Sequence, residues 1–126
     1  MAFPGTYNFD YYRGDTFQFV IAPKTSAGTT FPLDAFAAAP GAIFTIATSR
    51  GNNATTSIDS VSDASKLSAT INTTTDTIAC VIKPDARADL IGGATYYYDV
   101  EIYNGGASRF TLVTGEITVT DDVTGA

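Results

Sequence analysis

The chain has 126 residues, 44% of them hydrophobic, enough to bury a core of its own; a single domain over residues 1–126 is expected. Its formal charge is −6, and its seven Lys and Arg residues are scattered, which argues against nucleic acid as a partner because phosphate binding needs clustered cations. There is no histidine, so the usual general base and the commonest metal ligand are missing, and no cofactor is expected.

The N-terminal segment MAFPGTYNF lacks a charged stretch followed by an apolar one, so it does not read as a secretory signal. Residues 1–6 are expected to form an arm. Met1, Phe3 and Pro4 lie ahead of the first strand pattern with no local partner, and they are candidate contacts for another protein. Tyr7, Phe9 and Tyr11 alternate, Arg13-Gly14-Asp15 interrupts, and Phe17, Phe19 and Ile21 alternate again. This predicts one long bent strand or two short ones. The tripeptide Arg13-Gly14-Asp15 is read as a glycine turn between aromatic strands, not as an adhesion motif.

Residues 23–32 are polar and end the run, and the alanine-rich residues 35–40 have no strand pattern and are expected to cross between sheets. Phe44 and Ile46 face inward from a strand over residues 42–48, and Arg50-Gly51-Asn52-Asn53 turns the chain. Residues 57–63 read as a loop or an edge strand, with Ile58 and Val61 as its buried residues. Leu67, Ala69 and Ile71 make a weak strand, and Ile78, Cys80 and Ile82 a better one. Cys80 at that spacing packs as a small apolar residue, and a lone cysteine forms no internal disulfide. Pro84 and Gly92 bracket the one helical segment, a short turn near residues 84–91.

The clearest pattern lies at 95–120. Tyr96, Tyr98, Val100 and Ile102 share one face of a strand, and Tyr97, Asp99, Glu101 and Tyr103 share the other. Asn104-Gly105-Gly106-Ala107 is a hairpin signal. After it Phe110 and Leu112 continue the apolar face, but Ile117 and Val119 lie on the opposite parity, so one residue must be absorbed; Gly115 sits at the switch, where a bulge or a bend from one sheet to another is expected. Residues 121–126 read as an acidic tail. Strand after strand with turns between predicts an all-β fold, a single antiparallel β-sandwich, Ig-like or related, of about seven or eight strands. Its core is expected to hold Phe17, Phe19, Phe44, Ile46, Ile78, Ile82, Tyr98, Val100, Phe110 and Leu112, with Asp99, Glu101 and Thr118 outside.

A search for chemistry yields no catalytic or metal-binding residue. Asp99 with Glu101, and Asp121 with Asp122, are carboxylate pairs without any sign of the pocket that a catalytic pair needs, so they read as solvated surface. No EF-hand spacing is present, and no stretch of about 18 apolar residues exists to cross a membrane. Tyr97 and Tyr103 are the aromatic residues left for a contact surface; six residues apart, they stand about 20 Å from each other along a strand, too far to clamp one sugar.

Four segments together resemble a family. They are Tyr12-Arg13-Gly14-Asp15-Thr16-Phe17, then Pro32-Leu33-Asp34 followed by Gly41-Ala42-Ile43-Phe44, then the turn of residues 84–93 leading to Tyr97-Tyr98-Asp99, and the ending GEITVTDDVT at 115–124. In this order they are similar to the small β-sandwich modules of tailed-bacteriophage virion proteins, found in baseplate and minor tail proteins and in head accessory proteins. The segment after Pro32 is longer and richer in alanine than in the usual form. The resemblance implies a non-enzymatic virion structural protein, assembled in the bacterial host cytoplasm. Its partners would be other virion proteins, either the major capsid protein that it decorates or tail and baseplate proteins, with a second copy of the chain as a further candidate. The competing reading is a carbohydrate- or receptor-binding module of a phage tail.

Overall fold

The computed structural model describes residues 4–38, 41–51, 57–104, 108–121 and 123. Alternation decides the strands, and two sheets face each other across the apolar sides that it creates. The larger sheet contains β1 (Gly5–Thr6), β2 (Phe9–Tyr12), β4 (Ala42–Ala47), β5 (Ser57–Asp59), β8 (Thr95–Asn104) and β9 (Ser108–Thr120). Its order is β1-β9-β8-β4-β5, with β2 also on β9. The smaller sheet is β3 (Phe17–Ile21), β7 (Thr77–Ile82) and β6 (Leu67–Asn72), in the order β3-β7-β6. The all-β sandwich is as expected. Among the described residues there are nine strands instead of seven or eight, because two- and three-residue strands, β1 and β5, carry too few residues to show a period.

The break at residues 13–16 separates two short strands in different sheets. Gly14 takes a φ of 91°, which a side chain would resist, and Tyr11 Oη donates to the Asp15 carbonyl at 2.7 Å. Arg13 Nε donates to the carbonyls of Arg87 and Leu90, each at 2.9 Å, tying this crossing to the 3-10 turn Pro84–Ala88 and the residues just after it. The alanine-rich segment likewise leads from the smaller sheet to the larger, through a 3-10 turn at Asp34–Phe36.

The parallel pairing of β1 and β2 with β9 has no signature in the sequence. Gly5 lies against Val113, and Phe9 to Tyr12 run beside Ile117 to Thr120. Gly5 and Thr6 therefore belong to the sheet, which shortens the arm expected over residues 1–6; Met1 and Phe3 lie outside the described residues, and Pro4 is exposed.

Between β1 and β2 the ladder is broken on purpose. Tyr7 turns its carbonyl inward, where Tyr98 Oη donates to it, and Asn8 Oδ1 takes its place as acceptor for the Glu116 amide at 2.9 Å. Gly115 makes room: a Cβ there would stand 2.1 Å from the Tyr7 oxygen. Of the bulge or bend expected at Gly115, the structure has a bulge, three residues earlier. Val100 pairs with Val113 and Glu101 with Thr111, so Leu112 is the extra residue that shifts the parity. Gly115 is required for close approach instead.

The core holds Phe44, Ile46, Ile78, Ile82, Tyr98, Val100 and Leu112, all at 2% exposure or less. Phe44 meets Phe19 and Tyr98 edge to face, with centroids 5.5 and 5.8 Å apart. Phe17, Phe19 and Phe110 are half-buried rather than fully enclosed. The first two sit on an edge strand, where their rings close the rim by packing on Phe9, and Phe110 caps the other end with Phe31 and Phe36. Val61 is 49% exposed, because the chain turns right after β5 and only Ile58 faces the core.

Cys80 is fully enclosed, and burial pushes its thiol up to about 12. Ellman's reagent at pH 8 should leave the native protein unmodified and react promptly once denaturant is added; rapid reaction without denaturant would contradict the packing.

Candidate interaction face on the larger sheet

Alternation on β8 places Tyr97, Asp99, Glu101 and Tyr103 on the outer face of the larger sheet, as the sequence indicates. Register then sets their neighbours. Tyr97 lies between Glu116 and Ala47, Asp99 between Thr114 and Thr45, Glu101 between Thr111 and Ile43, and Tyr103 opposite Arg109.

Each tyrosine carries a guanidinium. Arg50 lies over the Tyr97 ring at 5.2 Å and donates from Nη1 to Thr114 Oγ1 at 2.7 Å, which fixes it across three strands. Arg109 lies over the Tyr103 ring at 4.9 Å and pairs with Glu101 at 2.6 Å. Sequence reasoning missed both. A turn at residues 104–107 would set Tyr103 opposite residue 108, whereas the strands pair Asn104 with Ser108 and so Tyr103 with Arg109; Arg50 comes from a separate turn, and no spacing announces it.

Two depressions meet on this face. One, of about 290 Å³, is lined by Ser49, Arg50, Ser57 and Tyr97, and the other, of about 450 Å³, by Asp59, Glu101, Tyr103 and Arg109. Thr45 and Asp99 line both. Among the described residues, Ser49 Oγ in the first is buried without a hydrogen-bond partner.

Asp99 is not the freely solvated carboxylate that the sequence indicated. Burial, and then the neighbouring Glu101, raise its pKa above the ordinary value, against a smaller opposing pull from Arg50. The folded-state value exceeds the unfolded one, so stability rises as pH falls through the window between them; above that window the charged carboxylate opposes folding. Asp99→Asn should therefore raise the melting temperature at pH 7, with the gain shrinking as pH falls toward about 4, the ordinary carboxylate range. A variant less stable than the parent at pH 7 would refute this.

Among the described residues no group of three His, Cys, Asp or Glu side chains is placed to hold a metal ion, and no helix is long and apolar enough to cross a membrane. Asp122 lies outside the described residues, while Asp121 stands 3.9 Å from Arg13. Of the sequence-derived contact residues, Tyr97 and Tyr103 share one face; Pro4 precedes β1, and nothing described joins it to them. Compared with known proteins, the chain matches no family model, and no curated protein is significantly similar to it in sequence.

Proposed function

We propose that the protein is a non-enzymatic structural protein of a phage virion, an accessory or decoration protein that binds the capsid or the tail and baseplate through the outer face of its larger sheet. The observation that carries this reading is the pair of tyrosines, each stacked under its own arginine, on one sheet face. Such rings give large contact area at little cost in side-chain entropy, and the arginines hold them in place before a partner arrives. The virion setting rests on the resemblance of the four sequence segments to phage β-sandwich modules.

The test is incorporation. Tyr97→Ser with Tyr103→Ser should leave the fold intact and reduce the amount of protein recovered in purified particles at least severalfold, as expected when two anchor residues are truncated. Separate mass spectrometry of heads and tails would then assign the location. Normal incorporation of the folded double variant would reject this face as the contact. Saturable binding of an oligosaccharide, lost in the same variant, would replace the reading with the receptor-binding one.

A further inference from the structure

The outer face of the larger sheet carries Asp99 and Glu101 on β8, Asp59 on the edge strand β5 and Glu116, exposed beside Tyr97, on β9. Glu101 pairs with Arg109 at 2.6 Å. Asp59 Oδ1 accepts the amides of Val61 and Ser62 at 2.9 and 2.7 Å. Asp99 is two residues from Glu101 on β8 and shares Thr45 of β4 as a neighbour with Asp59; its carboxylate makes no hydrogen bond and no ion pair among the described residues, although it is half-buried. It lines both depressions, and the buried Ser49 hydroxyl, which has no hydrogen-bond partner among the described residues, lines the first.

We propose that Asp99 is the anchor of this face, receiving the cationic head of a lysine or arginine side chain from a partner protein seated between the two tyrosine–arginine stacks. The proposal rests on the reading of this face as a protein contact and names the chemistry that it would recognise. Charge complementarity selects the occupant. Arg109 neutralises Glu101, Arg50 is held by Thr114 and the Tyr97 ring and offsets the Asp99 charge less than Glu101 opposes it, and Asp99 has no ion pair among the described residues of a chain whose formal charge is −6. An arriving ammonium or guanidinium would supply the missing partner and offset the repulsion from Glu101. A sugar is matched less well, because a guanidinium already lies over each ring on which it would stack. A bare metal ion is matched less well too, because among the described residues no group of three His, Cys, Asp or Glu side chains is placed to hold one.

The experiment is a titration of the isotope-labelled protein followed by amide chemical shifts, with acetylated trilysine amide as the probe. Acetylated triglutamine amide serves as the neutral control and methyl glucoside as the sugar control. Trilysine should shift the amides of Thr45, Ser49, Tyr97 and Asp99 saturably, the shifts should fade in high salt, and Asp99→Asn should abolish them while the rest of the spectrum stays in place. Equal shifts from triglutamine, retention of binding in Asp99→Asn, or saturation by methyl glucoside at these amides would each overturn the proposal. Its failure is separable from that of this face as the virion contact. Cation binding alongside normal incorporation of the double tyrosine variant would reject only the face as the contact, and absent cation binding alongside failed incorporation would reject only Asp99 as its anchor.

Discussion

Phe44→Ala is expected to destabilise the protein by about 3 to 5 kcal/mol, the range for removing a large buried ring and leaving a cavity. Phe44 has no solvent exposure, and its ring lies between Phe19 of the smaller sheet and Tyr98 of the larger, so its loss removes contacts on both sides of the sandwich. Its backbone is fixed independently, by the Ser60 Oγ acceptor at 3.0 Å and the Ser60 amide donor at 2.9 Å, so the strand has little freedom to collapse into the space. A typical domain has only about 5 to 15 kcal/mol in total, and the variant should be close to unfolding at 37 °C. Urea denaturation followed by circular dichroism measures the change; a loss under about 1 kcal/mol would mean that the two sheets do not depend on this ring.

Gly115→Ala is the second large effect, and it arises from backbone rather than side-chain crowding. The added methyl would stand 2.1 Å from the Tyr7 carbonyl oxygen and 2.9 Å from Asn8 Oδ1. Relief requires Tyr7 to retreat, and then the bond from Tyr98 Oη, the Tyr7 amide bond to the Thr114 carbonyl and the Asn8 bond to the Glu116 amide are all disturbed. Overpacking of this kind costs about 1 to 3 kcal/mol, and each buried polar group left unpaired adds about 1 to 3 kcal/mol more. Hydrogen exchange should show loss of protection localised to residues 5–12 and their partners on β9, ahead of global unfolding. Unchanged protection there would show that the approach of Tyr7 does not need glycine.

The face of β8 was legible because a strand half-covered by a core imposes a period of two, and eight consecutive residues from Tyr96 obey it. The parity change further on was legible too, but not its position: a count of faces says that one residue is extra between Leu112 and Ile117, and only register identifies it as Leu112. Pairing partners were beyond reach for the same reason. Period two is common to parallel and antiparallel neighbours, so nothing in residues 5–12 distinguishes a hairpin partner from β9, more than a hundred residues away. The candidate site divides similarly. Tyr97 and Tyr103 follow from alternation within one strand, whereas the stacking of Arg50 and the isolation of Asp99 depend on what three strands and a distant turn bring together.

The parallel contact of β1 and β2 with β9 also sets how the molecule bears mechanical load. A pull on the chain ahead of β1 and on the chain beyond β9 acts along the two neighbouring strands in opposite directions, so their cross-strand bonds are loaded in shear and must yield together. Antiparallel neighbours pulled from the same two ends would open like a zipper, one bond at a time. The sandwich is thus closed by a clamp whose resistance is greatest when the chain is tethered at one end and dragged from the other.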